Sequence, residues 1–382
     1  MKAIINGKLV FPERIIEGNL LMEGDTILAA GKIAVPEGAE IIDAQGLFVG
    51  PGFIDQHSHG YQQHGENLPV CDDPMAAAAA HLKHGTTTYL ASTDYSHPFA
   101  LQEKTVELCV DALKNHPETS LAGIHLEGPF INRRFGSCAS EAVEYSDVLC
   151  ERIFSKAAPY ALHCTYAPEL PDAVRVEEKL RKYGIPGAIG HTCAGAEDIE
   201  RAIACGAKIA THLFDAMSHP LGVEEAARRT RHPQDCTADI LLAIPGLYYE
   251  LICDSEGMHV TPHSVCQALR AAGEDHIILI SDAVVEEAPQ TGDRDVNFDI
   301  HGTLSGSRLC INRAVRNFVR FTGADVRVAF KCAATNAAKA LGIFDKVGSI
   351  EAGKTANLVF TDSDLRVQRV FFRGEEVRDL RD

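Results

Sequence analysis

Five positions in this sequence end an apolar run with a histidine or an acid. The run before His57 ends Ile54-Asp55-Gln56-His57-Ser58-His59, which places two imidazoles one residue apart. On an extended chain such a pair points to one face, and both rings can reach one metal ion; a pair in a solvated loop is the other reading. A second run ends His125-Leu126-Glu127-Gly128-Pro129. Alternation turns His125 and Glu127 to one side, and a carboxylate buried there needs a cation, a proton or hydrogen bonds.

His191 follows Ala188-Ile189-Gly190, and His212 stands in Ala210-Thr211-His212-Leu213-Phe214. With Glu127 they form a His-His-carboxylate set, which suits a borderline-soft divalent ion with one position open to water. Asp282 ends the run Ile278-Leu279-Ile280-Ser281 and reads as a general base, with a helix N-cap as its rival role. His259, in Asp254-Ser255-Glu256-Gly257-Met258-His259, reads either as a loop residue able to touch a substrate or as a solvated ring.

A scaffold must bring these distant positions together. Between about residues 50 and 345, β-rich runs alternate with helical stretches, the pattern of repeated βα units and a parallel sheet. The runs are Gly52 to His59, Thr86 to Ser92, Leu121 to Glu127, Ala161 to Pro168, Ile185 to His191, Lys208 to Phe214, Tyr248 to Asp254 and His276 to Asp282. Met75 to His84, Ala196 to Cys205 and Pro262 to Ala272 read as intervening helices. Such a series predicts a closed (β/α)8 TIM-like barrel, whose active site lies at the C-terminal ends of the strands, where the polar residues gather.

Both chain ends alternate apolar and polar residues between turn-forming glycines and acids, which predicts antiparallel sheet. Residues 1–50 and 345–382 are expected to form one small β-sandwich domain beside a barrel of residues 51–344. The 382 residues suffice for both.

A net charge of −17 disfavours nucleic acid and anionic membranes as partners, and no apolar segment is long enough to span a bilayer. Charged residues interrupt the N-terminal apolar runs, so no secretory signal is expected. The 12 cysteines are scattered singly, as suits free thiols in a reducing cytoplasm.

The strand-end residues, in this order, resemble the amidohydrolase superfamily, and the fuller motifs resemble its N-acetylglucosamine-6-phosphate deacetylase family. The similarity runs through HLEGPFIN, GHT, THLFDAM, EGMH, SDAV, LSGS and INRAVRN to GSIEAGKTANLVF. It implies that Glu127, His191 and His212 hold the main metal ion and that Asp282 accepts and returns the catalytic proton. His57 and His59 match members able to hold a second ion. One or two divalent ions are thus implied, zinc first, with iron, manganese or cobalt as alternatives.

Substrate contacts are implied from Ser137 and Cys138, from Asp215 and Ala216, from His259, and from Leu304, Ser305 and Gly306. The implied reaction is deacetylation of N-acetylglucosamine 6-phosphate in amino sugar catabolism, by a cytoplasmic homodimer. Cys138 replaces the family's usual histidine, and Asp215 its usual asparagine. The phosphate-binding arginine expected after Met217 has Arg228, Arg229 and Arg231 as candidates.

Another N-acetyl amino sugar, such as N-acetylgalactosamine 6-phosphate, or another N-acyl compound is the alternative substrate. The cyclic-amide branch commonly places a carboxylated lysine on the fourth strand, which here reads Ala161-Leu162-His163-Cys164-Thr165-Tyr166. A catalytically silent scaffold would have no need of the four residues Glu127, His191, His212 and Asp282.

Overall fold

The computed structural model describes residues 1–217, 236–286 and 294–381. Eight parallel strands follow one another around a barrel: Phe53–Asp55, Thr86–Thr93, Leu121–Glu127, Ala161–Tyr166, Gly187–Ile189, Ala207–Ala210, Tyr248–Ile252 and Ile277–Ile280. Each pairs with its sequence neighbour, as βα repetition demands. The seam between first and last closes just past the strand ends, where Asp282 N donates to the His57 carbonyl at 2.9 Å and His59 N to that of Ala283 at 2.7 Å.

Several strands are shorter than the sequence predicts. The first ends at Asp55, the fifth at Ile189 and the sixth at Ala210, so His57, His59, His191 and His212 lie in the turns beyond. The polar groups that cut the apolar runs leave the ladder early to converge over the barrel mouth.

Alternation along each strand separates two cores. Ile277 and Leu279 pack outward with the surrounding helices, whereas Ile278 and Ile280 face the barrel axis beside Ile54, Leu90 and Ile209. Ala334, Ala337, Ala338 and Leu341 join that inner cluster. Helix ends follow local chemistry: the Asp73 side chain accepts from Met75 N and Ala76 N before Pro74–Leu82, and Thr261 caps Pro262–Ala272 through Ser264 N.

Both chain ends share one further sheet, comprising Lys2–Val10, Ile15–Glu23, Thr26–Gly31, Glu40–Asp43, Phe48–Pro51, Leu358–Thr361, Val367–Phe372 and Glu375–Glu376. It is mixed, not purely antiparallel, because Lys2–Val10 pairs in parallel with both Glu40–Asp43 and Phe48–Pro51. Returning to the first strand in its own direction lets the sheet fold over a private apolar cluster that includes Ile4, Leu20, Val49 and Phe360. Val10, Val359 and Val370 instead join the barrel's main core and dock the sheet onto it. Among the described residues, no helix is long and apolar enough to cross a membrane.

Candidate metal centre and active site

Glu127 ends the third barrel strand, and its side chain enters the barrel mouth almost fully buried. His191, His212 and Asp282 each follow their strand by two residues, with φ of 49, 29 and 47°. Left-handed backbone at non-glycine residues costs on the order of 1–3 kcal/mol and persists where neighbours over-determine it. Here the His191 carbonyl accepts from Asn132 N at 3.1 Å and the Asp282 carbonyl from Ser307 N at 2.7 Å. The turn aims each side chain back across the axis.

His191 Nε2 lies 2.9 Å from Glu127 Oε1, His212 Nε2 lies 3.2 Å from the same oxygen, and the two nitrogens are 3.0 Å apart. Each ring's other nitrogen faces a backbone carbonyl: His191 Nδ1 that of Phe135 at 2.9 Å, His212 Nδ1 that of Asp215 at 3.2 Å. Those carbonyls only accept, so both Nδ1 atoms donate, and both Nε2 atoms turn lone pairs or extra protons toward a carboxylate and each other. Three converging acceptors call for a cation. Ligands at 2.0–2.1 Å around a tetrahedral ion stand ~3.3 Å apart, close to the spacings here. The residues therefore fit a small divalent ion, with the Nδ1 bonds fixing the rings from behind.

A second donor group, His57, His59 and Asp282, adjoins the first. His57 Nε2 is 3.3 Å from His59 Nε2, 3.3 Å from Asp282 Oδ1 and 3.2 Å from Glu127 Oε1. His59 Nε2 is 3.1 Å from Glu127 Oε2, so the Glu127 carboxylate faces both groups. Burial alone would raise the pKa values of Glu127 and Asp282, yet the surrounding histidines hold both below the ordinary carboxylate range. Asp282 thus stays ionised, as a proton acceptor must.

A cavity of about 540 Å³ opens over this floor. Ser137, Cys138, Asp215, Ala216, Leu304, Ser305 and Gly306 line it, where the sequence reading expected substrate contacts. His259 does not. Its side chain is fully buried, with Nδ1 3.1 Å from Asp254 Oδ2 and Nε2 donating to the Gly306 carbonyl at 2.8 Å. Asp254, just past the seventh strand, draws the ring inward, and His259 props the Leu304–Ser307 strand from behind. Arg228, Arg229 and Arg231 lie outside the described residues.

The lining also includes Asp94, Tyr95, Glu286 and Asp299, none of which the sequence alone marks as a site residue. Asp94 and Tyr95 directly follow the second strand, so the strand-end rule that found Glu127 would have found them. Tyr95 packs on His191 with ring centroids 4.5 Å apart and donates to the Ser137 carbonyl at 2.8 Å. Asp299 arrives on a hairpin turn that carries no strand-end signal.

Residues 48–377 match the amidohydrolase family. The N-acetylglucosamine-6-phosphate deacetylase of Bacillus subtilis (strain 168) is 31% identical over 343 residues, covering 85% of this chain and 83% of that one. The Homo sapiens protein of the same name is 29% identical over 410 residues, covering 95% and 94%. The crystal structure of N-acetyl-D-glucosamine-6-phosphate deacetylase from Mycobacterium smegmatis superposes with a TM-score of 0.82 at 26% identity, covering 99% of this chain and 100% of that one. A mutant of that enzyme, solved in complex with N-acetyl-D-glucosamine-6-phosphate, matches equally well, with a TM-score of 0.82 at 26% identity and 98% of each chain covered. Sequence and barrel topology agree with these relatives, and the chain belongs to the amidohydrolase family, in the branch of the N-acetylglucosamine-6-phosphate deacetylases.

Proposed function

We propose that the protein deacetylates N-acetylglucosamine 6-phosphate, giving glucosamine 6-phosphate and acetate. The observation that carries this reading is the meeting of Glu127, His191 and His212 with Asp282 on the floor of one cavity. Glu127, His191 and His212 would hold the main divalent ion, and His57 and His59, with Asp282, a second. Zinc suits the mixed nitrogen and oxygen donors best, ahead of iron, manganese or cobalt. When bound, the ion supplies Lewis acidity, acidifying water toward neutrality and polarising a carbonyl.

Asp282 takes the proton from the attacking water and returns it to the amide nitrogen as the C–N bond breaks and the new C–O bond forms. Ser137, Cys138, Asp215 and Ala216, with the Leu304–Gly306 segment, orient the sugar. His259 acts through that segment and not on the substrate. The reading includes a homodimer working in the cytoplasm.

One observation favours a second reading, an N-acetyl amino sugar without phosphate. Asp72, Asp94, Asp215, Glu286 and Asp299 line the cavity, and among the described lining residues there is no lysine or arginine. Carboxylates repel a phosphate dianion unless a cation intervenes.

The test is acetate release by zinc-loaded protein from N-acetylglucosamine 6-phosphate, N-acetylgalactosamine 6-phosphate and both unphosphorylated sugars. A strong preference for N-acetylglucosamine 6-phosphate supports the first reading; equal or faster turnover of an unphosphorylated sugar supports the second. Glu127→Gln and Asp282→Asn should each lose at least about 10²-fold in kcat. Near-parental rates in both would defeat the mechanism.

A further inference from the structure

Glu250 stands midway along the seventh barrel strand, its carboxylate fully buried in the barrel interior. An isolated charge there would cost several kcal/mol, on the order of what unpaired buried ions cost generally. It is met by three donors from two other parts of the barrel. Gln56 Nε2 donates to Oε1 at 2.6 Å, while His57 Nδ1 and the backbone N of His212 each lie 3.4 Å from Oε2. Glu250 does not line the cavity, so it touches neither substrate nor reacting atoms.

What it touches is one member of each donor group. By accepting from His57 Nδ1 it leaves the Nε2 lone pair of that ring facing Glu127, Asp282 and His59. By accepting from His212 N it supports the residue whose backbone is turned to a φ of 29°. Gln56 completes the clamp: its Nε2 bonds Glu250, and its Oε1 has no hydrogen-bond partner among the described residues. That bond from the buried Gln56 amide holds the Glu250 carboxylate in place.

We infer that Glu250 is a positioning residue that fixes His57 as a lone-pair donor and anchors the His212 backbone. Retention of the metal ion then depends on a carboxylate outside the coordinating set. The inference rests on the metal-dependent reading of the site.

The test uses full-length protein loaded with zinc and challenged with increasing chelator, with zinc per chain measured after desalting. Glu250→Gln keeps the shape but turns an N–H toward the N–H of either Gln56 or His57. It should release zinc at chelator concentrations about tenfold or more below those the parent withstands, the usual scale for a group behind a metal ligand. Gln56→Met, which touches no ligand side chain, should shift in the same direction by less.

Thermal melts of both variants separate lost positioning from lost folding. If Glu250→Gln does not fold, Gln56→Met decides, and parental zinc retention in it overturns the inference. A folded Glu250→Gln with parental retention overturns the inference and leaves the metal reading standing. A parent that takes up no zinc overturns both.

Discussion

The Ser137 hydroxyl donates to Asp299 Oδ2 at 2.8 Å, while Asp299 Oδ1 accepts from His301 N and Thr303 N at 2.8 and 2.9 Å. One carboxylate thus shapes the turn of its own hairpin and ties it to the loop after the third barrel strand. Two walls of the cavity are joined by this bond.

Ser137→Ala should therefore loosen substrate binding more than chemistry. A hydrogen bond to a charged group contributes about 1.5 kcal/mol or more, so KM should rise roughly tenfold with kcat changed less than about twofold. Steady-state kinetics decide it, and a kcat that falls as far as KM rises would show that the bond acts on the chemical step.

Gly136→Ala probes the backing of His191. A Cβ on Gly136 would stand 2.5 Å from His191 Nδ1 and 2.8 Å from the Tyr95 hydroxyl, at a φ of +114° that side chains rarely adopt. The ring must move or lose its bond to the Phe135 carbonyl. Zinc content should fall, and kcat with it by about 10²-fold, the scale of an ångström's misplacement. Full zinc occupancy and parental turnover would count against this account.

Zinc affinity should climb with pH. Burial disfavours the charged rings, yet contacts with Asp282 and Glu127 push His59 up to about 10, and Glu127 pushes His212 up to about 9. Chelator-treated protein at pH 7 therefore carries protons on both rings, and the ion must displace them. Apparent affinity should rise from pH 6 through about 9, up to roughly tenfold per pH unit for each proton displaced. Calorimetry in buffers of different ionisation enthalpy would register the released protons. A flat profile between pH 6 and 8 would refute this.

Acid stability has a separate source on the opposite side of the molecule's chemistry. Arg327 bonds both oxygens of Glu274 at 2.7 and 2.8 Å and, against the effect of burial and with Lys331 assisting, lowers its carboxyl to about 2. A lowered folded-state value stabilises the protein above pH ~4.5 and loses that contribution as pH falls toward 2. Glu274 is one-third exposed, so Glu274→Gln should cost only about 1–2 kcal/mol at pH 7 after solvent screening. Urea melts at pH 7 and pH 3 should show that difference shrinking with acid; an undiminished difference would place the effect elsewhere.

The βα alternation carries the barrel because periodicity reports which face of each run is buried, and Leu121–Glu127 and Pro262–Ala272 match expectation at both ends. The strand-end histidines and acids were visible for the same reason: a polar residue closing an apolar run is costly without a partner. What escaped depends on contacts between distant segments. Nothing near His259 in the sequence tells that Asp254 and the Gly306 carbonyl capture both its nitrogens. Glu250 was unmarked because a lone acid inside Tyr248–Ile252 breaks the apolar pattern without revealing that Gln56, His57 and His212 await it. The parallel pairings of Lys2–Val10 were hidden too, since alternation along a strand does not record the direction of its neighbour.

The sheet shared by the chain ends sets an order of assembly. Pro51 pairs with Leu358 and Phe48 with Thr361, so the edge of Phe48–Pro51 finds its partner only after about three hundred further residues have been made. At ~5–20 residues per second that wait is roughly 15–60 s. During it, the amino-terminal strands present an unpaired edge that other chains can join. Crowding of nascent copies, not loss of the catalytic groups, is then the hazard for variants that slow synthesis or weaken Leu358–Thr361.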